Sequence, residues 1–104
     1  MTLTFINRNN YFLTMTGING AKYKIMPTSP EVNLEEIKEA ARKIVEDFGG
    51  ENKEYSEEPV AFGLKSIEVF FFYPDNKEVE EVEKKLAKIE NVNSVQLTDM
   101  RKIS

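Results

Sequence analysis

The sequence predicts an α+β sandwich in which two helices cover one face of a four-stranded antiparallel sheet. Two stretches have helical periodicity, four have the alternation of strands, and they follow one another in the order β-α-β-β-α-β. At 104 residues the chain has room for one domain with a modest core. This order is that of the split βαβ, or ferredoxin-like, sandwich.

The first strand is predicted over residues 20–27, where Tyr23 and Ile25 alternate with lysines. A helix follows, because Asn33 can cap its first turn and Glu36 stands where it would complete a capping box. Its apolar residues keep helical spacing until a Gly-Gly pair supplies the stop. They are Leu34, Ile37, Ala41, Ile44, Val45 and Phe48.

Two strands are predicted next. Residues 51–59 are polar and charged, which suits a strand at the edge of a sheet. Residues 64–73 are rich in β-branched and aromatic residues and form a stronger strand with two distinct faces. One face is Ile67, Val69, Phe71 and Tyr73, and the other is Ser66, Glu68, Phe70 and Phe72.

A second helix and a last strand complete the pattern. Asp75 and Glu78 offer a second capping box, followed by an amphipathic stretch whose outer face is mostly Glu and Lys. We expect each helix to be about 14 residues long. The last strand is expected over residues 94–100, which leaves residues 101–104 as a flexible, positively charged tail.

Residues 1–19 lie outside this pattern and are predicted to be an N-terminal extension, with the domain itself spanning residues 20–104. Two short apolar segments of the extension flank a polar one, so a hairpin that covers apolar surface is one alternative. A disordered leader, or a start assigned too early in the chain, is the other.

Composition excludes several classes of function. The net charge of −4 gives no general attraction to phosphate backbones. With no Cys and no His, the chain lacks a thiolate nucleophile, an imidazole base and the usual zinc ligands. The many carboxylates suit solvated helix faces, because nothing apolar surrounds them to separate their pKa values. We therefore expect no enzyme activity, no cofactor and no metal site.

The hydropathy pattern gives no sign of a membrane segment. No apolar run approaches the roughly 18 residues that a membrane span requires, and the N-terminus lacks the apolar core of about 7 to 15 residues that a signal peptide has. The sequence therefore predicts a cytoplasmic protein without a membrane partner.

Two motifs are candidates for contact with another protein. The first is Pro59-Val60-Ala61-Phe62-Gly63-Leu64-Lys65, and the second is Met100-Arg101-Lys102-Ile103-Ser104. Small neighbours beside Phe62 would let a partner's backbone approach its ring. Composition alone leaves structural alternatives open, since Phe62 could plug the end of the core and a lysine at such a position is usually a solvated charge.

With a third motif, these two resemble the elongation factor 1-beta family of short archaeal type. The third is Lys22-Tyr23-Lys24-Ile25-Met26-Pro27-Thr28-Ser29-Pro30-Glu31, so that the resemblance extends over residues 20–103. It implies the ferredoxin-like fold and a nucleotide exchange function on the translation GTPase elongation factor 1-alpha, bound to GDP or GTP. It implies no covalent chemistry.

The resemblance also assigns roles to residues of this sequence. It implies that Phe62 and Gly63 contact the GTPase, and that Lys102 enters the magnesium and phosphate region of that partner. Met100 and Ile103 flank Lys102 in the pattern that the family has at this position. Ser104 stands one residue beyond the family's usual end.

Phe70 and Phe72, which share the predicted open face of the sheet, raise RNA binding as a different class of function. RNA-recognition modules have the same element order and stack bases on aromatic residues of their third strand. The segment around residues 62–69 lacks the basic-then-aromatic signature, and Glu68 lies on the same face, so we expect no direct nucleic-acid contact. We expect these rings to be covered by the N-terminal extension, a partner or a second copy.

A small ferredoxin-like domain that binds a ligand or regulates another protein is the remaining alternative. Such a domain should tolerate loss of residues 101–104, whereas an exchange factor should not.

Overall fold

The computed structural model describes residues 17–104 and, in the N-terminal extension, the backbone of residues 4–6 and 11–13. Those two short segments are strands β1 (Thr4–Ile6) and β2 (Tyr11–Leu13), which pair antiparallel as a separate two-stranded sheet. The residues that connect them lie outside the described part of the chain.

The remaining elements follow the predicted order. They are β3 (Ile18–Pro27), α1 (Leu34–Phe48), β4 (Glu51–Pro59), a short 3-10 turn (Ala61–Gly63), β5 (Lys65–Pro74), α2 (Glu80–Ala87) and β6 (Val92–Lys102). Their strands form one antiparallel sheet in the spatial order β4-β5-β3-β6. The β-α-β-β-α-β sandwich is confirmed, and the polar strand β4 lies at an edge of the sheet, as predicted.

The hydrophobic core lies between the two helices and one face of the sheet. The central strands β3 and β5 bury alternate side chains, because side chains of a strand point to opposite faces. The predicted inner face of β5 is confirmed, with Ile67, Val69, Phe71 and Tyr73 all buried. Each such side chain contributes roughly 1.5–3 kcal/mol when it is removed from water, so this interface stabilises the fold.

Helix α1 begins and ends at the predicted signals. The Asn33 side chain accepts the backbone N–H of Glu35 at 3.0 Å, which satisfies one of the free donors of the first turn. At the other end, Gly49 has a φ of 93°, a left-handed conformation that glycine adopts without steric cost. Glu36 donates its backbone N–H to the Asn33 carbonyl at 3.2 Å, but among residues 17–104 no side-chain bond of Glu36 completes the predicted capping box.

Helix α2 differs from the prediction in length and in its cap. It has eight residues rather than about 14, and the residue before it, Val79, makes no side-chain capping bond. The predicted capping box of Asp75 and Glu78 is wrong. Asp75 instead lies in a turn, in which the Lys77 N–H donates to the Pro74 carbonyl at 3.1 Å, and its carboxylate binds another side chain.

Strand β6 is longer than predicted, and the expectation of a flexible tail is wrong. Lys102 still belongs to the strand, where it pairs with Asn19 of β3. Beyond it, Ser104 and Ile18 exchange two backbone hydrogen bonds, each 3.1 Å long. The reason is that β3 begins at Ile18, two residues before its predicted start, and its main-chain groups pair with the end of the sequence.

Candidate protein-interaction site

The turn between β4 and β5 presents Phe62 to solvent. Its side chain is 93% exposed, so the alternative in which this ring plugs the core is wrong. The backbone of Phe62 is left-handed, with φ 63° and ψ 31°, which costs a residue with a side chain about 1–2 kcal/mol. Gly63 also has a positive φ, 75°, at which glycine has no such cost.

Backbone hydrogen bonds hold this turn in place. The Val60 N–H donates to the Leu64 carbonyl at 2.8 Å, and the Leu64 N–H donates to the Ala61 carbonyl at 3.3 Å. A strained residue persists where the surrounding structure fixes it, and such residues are common at binding sites. The turn therefore fixes the backbone of Phe62 and presents its ring to solvent.

A groove of about 340 Å³ opens next to this turn. Pro27, Pro30 and Leu34 contribute its apolar wall, and Gly63 lies at its rim. A Cβ added at Gly63 would make one ordinary van der Waals contact, with Cγ of Pro30 at 4.0 Å. Apolar surface is thus available beside the exposed ring.

An ion pair between α1 and β4 borders the groove. Lys38 Nζ lies 2.7 Å from a carboxylate oxygen of Glu57 and 3.2 Å from one of Glu35. The hydrogen bond from Lys38 holds the pKa of the Glu57 carboxyl below its ordinary value, and the same bond raises the pKa of Lys38. This pair fixes the edge strand to the helix near Phe62.

Lys102 lies at the opposite end of the sheet from Phe62. Both β5 and β6 run antiparallel to β3, so the start of β5 lies beside the end of β3, and the end of β6 lies beside its start. With ten residues in β3 and a rise of about 3.3 Å per residue, the two ends are roughly 30 Å apart. The structure therefore does not bring the two predicted contact motifs together.

The Lys102 side chain is exposed but paired. Its Nζ donates to a carboxylate oxygen of Asp75 at 2.5 Å, and the two side chains are 60% and 31% exposed. Gly17 lies against both groups, and a Cβ at Gly17 would overlap the Lys102 ammonium and the Asp75 carboxylate. The Asp75 N–H in turn donates to the Gly17 carbonyl at 2.9 Å.

Met100 and Ile103 flank Lys102 on opposite faces of the sheet. Met100 pairs with the buried Ala21, and its sulfur accepts the Tyr73 hydroxyl at 3.1 Å. Ile103 lies on the open face, where its Cδ1 would be 3.2 Å from a Cβ added at Gly20. Both side chains remain partly exposed, at 43% and 38%.

Sequence reasoning missed Gly17 and Gly20, although both carry a recognisable signal. A glycine at or within a strand often marks a close approach of other groups to the backbone. Here Gly20 makes room for Phe70 and Ile103, and Gly17 makes room for the Lys102 ion pair.

On the open face, Phe70 and Phe72 contact each other edge to face, with ring centroids 5.6 Å apart. Lys53 Nζ lies 4.9 Å from the centre of the Phe72 ring, a cation–π contact. Glu68 pairs with Lys24 across the neighbouring strand and shares this face. The expected cover by the N-terminal extension involves side chains of residues 1–16, which lie outside the described residues.

The buried hydroxyl of Tyr23 has a hydrogen-bond partner within the fold. Tyr23 is fully buried and donates its hydroxyl to Glu83 at 3.2 Å, and burial raises its pKa.

In the part of the chain that the structure describes, no group of three or more Cys, His, Asp or Glu side chains could hold a metal ion. None of the helices in that part is long and apolar enough to span a membrane.

These features define a small α+β domain of ferredoxin-like fold whose candidate contact points are an exposed aromatic ring and a paired, exposed lysine. The family model of the EF-1 guanine nucleotide exchange domain matches residues 21–103. The chain belongs to this family.

Proteins that this chain resembles over most of their length include archaeal proteins named elongation factor 1-beta. That of Methanobrevibacter smithii is 39% identical over 84 residues, which cover 80% of this chain and 93% of the relative. That of Staphylothermus marinus is 35% identical over 83 residues, covering 78% and 91%. That of Methanococcus vannielii is 33% identical over 81 residues, covering 77% and 91%.

Among solved structures, the chain is similar to the ACT domain from GTP pyrophosphokinase of Chlorobium tepidum. The TM-score is 0.52 at 15% sequence identity, and the match covers 76% of this chain and 96% of that domain. At this identity the likeness concerns the fold alone, and it agrees with the ferredoxin-like sandwich.

Proposed function

We propose that this protein is a guanine nucleotide exchange factor that promotes replacement of GDP by GTP on elongation factor 1-alpha, and so supports aminoacyl-tRNA delivery in protein synthesis. The observation that carries the proposal is the match of residues 21–103 to the exchange domain, which includes nearly all of the four-stranded sheet. The protein acts in the cytoplasm, by binding, and makes or breaks no covalent bond.

Lys102 is proposed to act on the nucleotide site of the GTPase. Translation GTPases hold their nucleotide through a phosphate cradle and a magnesium ion that neutralises phosphate charge. The Lys102 side chain extends from the end of β6 and is 60% exposed, so its ammonium is accessible to a partner. An ammonium brings one positive charge but cannot reproduce the octahedral coordination of magnesium, so it competes with the ion while holding phosphate less firmly.

Phe62 and Gly63 are proposed to bind a second region of the same partner. A large aromatic ring that enters a pocket of the partner is typical of residues that dominate binding energy. Since the sheet separates Phe62 from Lys102 by roughly 30 Å, the GTPase must offer two contact regions at that distance. Met100 and Ile103 then supply partly exposed apolar surface around the entering lysine.

Thermodynamic linkage limits the stability of the complex with the factor, and the nucleotide concentrations set the direction of exchange. An exchange factor that weakens GDP binding is itself bound less tightly by the GDP form, by the same factor. The ternary complex is therefore short-lived, and an excess of GTP drives the reaction toward the GTP form.

The proposal is tested by the release of fluorescent GDP from elongation factor 1-alpha, with unlabelled GTP in excess, with and without this protein. We expect release to accelerate with protein concentration and to reach a plateau. A release rate that stays unchanged at concentrations that saturate binding would exclude the exchange function.

Loss of residues 101–104 does not cleanly separate the exchange function from ligand binding by a small regulatory domain. Removal of residues 101–104 would delete the main-chain pairing with Ile18 and Asn19, so it would disturb the sheet in either case. Substitution of the Lys102 side chain alone keeps that pairing and is the sharper discriminator.

A further inference from the structure

Three segments of the chain meet at the Lys102 end of the sheet. They are Gly17 before β3, Asp75 in the turn after β5, and the end of β6. Asp75 is fixed at its backbone, because its N–H donates to the Gly17 carbonyl at 2.9 Å. Its carboxylate accepts a hydrogen bond from Lys102 Nζ at 2.5 Å.

The backbone of Lys102 is fixed independently of its side-chain tip. Pairing with Asn19 holds the residue in β6, and Ile103 packs beside Gly20 on the opposite face. Four rotatable bonds still separate the Lys102 backbone from its ammonium, so the strand alone does not determine where the charge lies. Among residues 17–104, the Asp75 carboxylate is the group that fixes the position of the Lys102 ammonium.

The ion pair leaves the ammonium able to bind another group. A lysine ammonium has three N–H donors, and Asp75 accepts from one of them. Because the Lys102 side chain is 60% exposed, the other donors can face a partner while the first bond is kept.

We infer that Asp75 is a positioning residue of the exchange reaction, which holds the Lys102 ammonium at the end of the sheet in the place from which it enters the nucleotide site. This inference rests on the proposed exchange function. Asp75 acts through Lys102 and makes no contact of its own with the nucleotide. In this role it lowers the number of side-chain conformations that Lys102 must lose when the complex forms.

A double-mutant cycle tests the inference. It compares wild type, Asp75→Ala, Lys102→Ala and the double variant in GDP release at physiological magnesium. We expect Asp75→Ala to lower the maximal release rate about three- to fivefold, the upper part of the range of a single exposed ion pair. The double variant should match Lys102→Ala alone, because Asp75 has nothing to position once the lysine is absent.

Four further measurements separate positioning from a structural effect. Asp75→Asn keeps the size of the side chain without its charge, and we expect the same loss, whereas Asp75→Glu should restore part of the rate. The loss should shrink as magnesium is lowered, since the ion with which Lys102 competes is then scarce. Glu78→Ala, which removes a carboxylate two residues before α2, serves as the matched control and should leave exchange unchanged.

The experiment distinguishes failure of the proposed exchange function from failure of the positioning role of Asp75. If wild type fails to accelerate release, the proposed function is lost and the inference with it. If wild type is active and Lys102→Ala is impaired, but Asp75→Ala is as fast as wild type or faster, Asp75 does not position the lysine. Full additivity in the double variant, or a large fall in the unfolding midpoint of both Asp75→Ala and Asp75→Asn, would overturn the inference as well.

Discussion

The two ends of the sheet expose their candidate contact residues by opposite means. Phe62 stands on a left-handed backbone in a tight turn, and its ring is 93% exposed. Lys102 lies in regular strand pairing, and its charged end is bonded to Asp75. At one end a hydrogen-bonded turn presents an apolar side chain to solvent, and at the other an ion pair holds a charge. Both ends therefore combine an exposed side chain with a fixed backbone.

The distance between the ends has a consequence for mutagenesis. Sites more than about 10 Å apart that share no neighbours usually have additive effects, and these ends are roughly 30 Å apart. A change at the Phe62 end should therefore alter affinity for the partner without altering what Lys102 does to the nucleotide. Variants at the two ends of the sheet test this division between exchange rate and partner affinity.

The largest effect on the rate of GDP release is expected for Lys102→Ala. We expect the maximal rate of GDP release to fall about tenfold or more, which corresponds to about 1.4 kcal/mol of lost transition-state stabilisation. The free energy of unfolding should change by less than about 0.5 kcal/mol, as is usual for exposed side chains. The measurement is GDP release across a magnesium titration.

Arg101→Ala is the matched control for Lys102→Ala. Arg101 is also exposed and cationic, but it pairs with Asp99 and lies on the other face of β6. Loss of exchange in both variants would mean that general positive charge matters, rather than the position of Lys102. Equal acceleration by wild type and Lys102→Ala at physiological magnesium would refute the assigned role.

Phe62→Ala should weaken binding of the GTPase by about 2 kcal/mol or more, the usual effect of truncating a dominant interface aromatic. Folding should not be weakened, because the loss of about 3–5 kcal/mol that follows truncation of a core Phe requires burial. Partner affinity and urea unfolding are measured on the same variant. Unchanged affinity would remove Phe62 from the interface.

Gly17→Ala and Gly63→Ala form a pair that compares the two ends directly. At Gly17 an added Cβ would displace the ends of the Lys102 and Asp75 side chains, so we expect exchange to fall several-fold, within the roughly 0.2–1 kcal/mol of an exposed ion pair. At Gly63 an added Cβ would make only an ordinary contact with Pro30, but φ is 75°, so we expect about 1 kcal/mol of lost stability. A Gly17→Ala variant that exchanges at the wild-type rate would show that this packing has no role.

Most of the fold could be predicted from the sequence because side-chain alternation reports which face of an element is buried. The separation of Phe62 from Lys102 also follows from the predicted topology. Because β5 and β6 both pair antiparallel with β3, the start of β5 and the end of β6 lie at opposite ends of the sheet. Strand ends were less predictable. Pairing of Lys102 with Asn19 uses main-chain groups, which leave no mark in the side-chain pattern.

The site was predictable to a different degree at its two ends. The small neighbours of Phe62 indicated an exposed ring, which the structure has. The resemblance singled out Lys102, but nothing near it in the sequence indicated a partner. Asp75 is 27 residues away, and its local pattern suggested a helix cap instead. A contact of this kind depends on the tertiary fold.

The ion pair beside the Phe62 end predicts a small dependence of stability on pH. Because the pKa of Glu57 is lower in the folded protein than in the unfolded chain, the Lys38 pair stabilises the fold above the unfolded pKa of the carboxyl. This contribution, at most about 1 kcal/mol, is lost as pH falls through the folded pKa. The raised pKa of Lys38 has its effect at the alkaline end, where stability is lost as pH rises through the folded value.

Urea unfolding of Glu57→Gln and wild type between pH 7 and pH 3 measures this contribution. We expect wild type to be more stable at neutral pH and the difference to disappear in acid. Glu58→Gln is the control, since Glu58 makes no ion pair among residues 17–104. A difference that persists at pH 3 would show that the side-chain packing of Glu57, rather than its charge, is responsible.

The smallest effect is expected for removal of residues 1–14, which leaves a chain beginning at Met15. The family match begins at residue 21, and the described contacts of the Lys102 end begin at Gly17, so both are retained. We propose that the exchange domain is complete in this variant, with GDP release and the free energy of unfolding unchanged. Removal of residues 1–19 should instead lower both, because Ile18 and Asn19 pair with Ser104 and Lys102. If the shorter deletion stayed folded but lost most of its exchange activity, the N-terminal extension would be part of the working surface, and the comparison would have to include a third contact region.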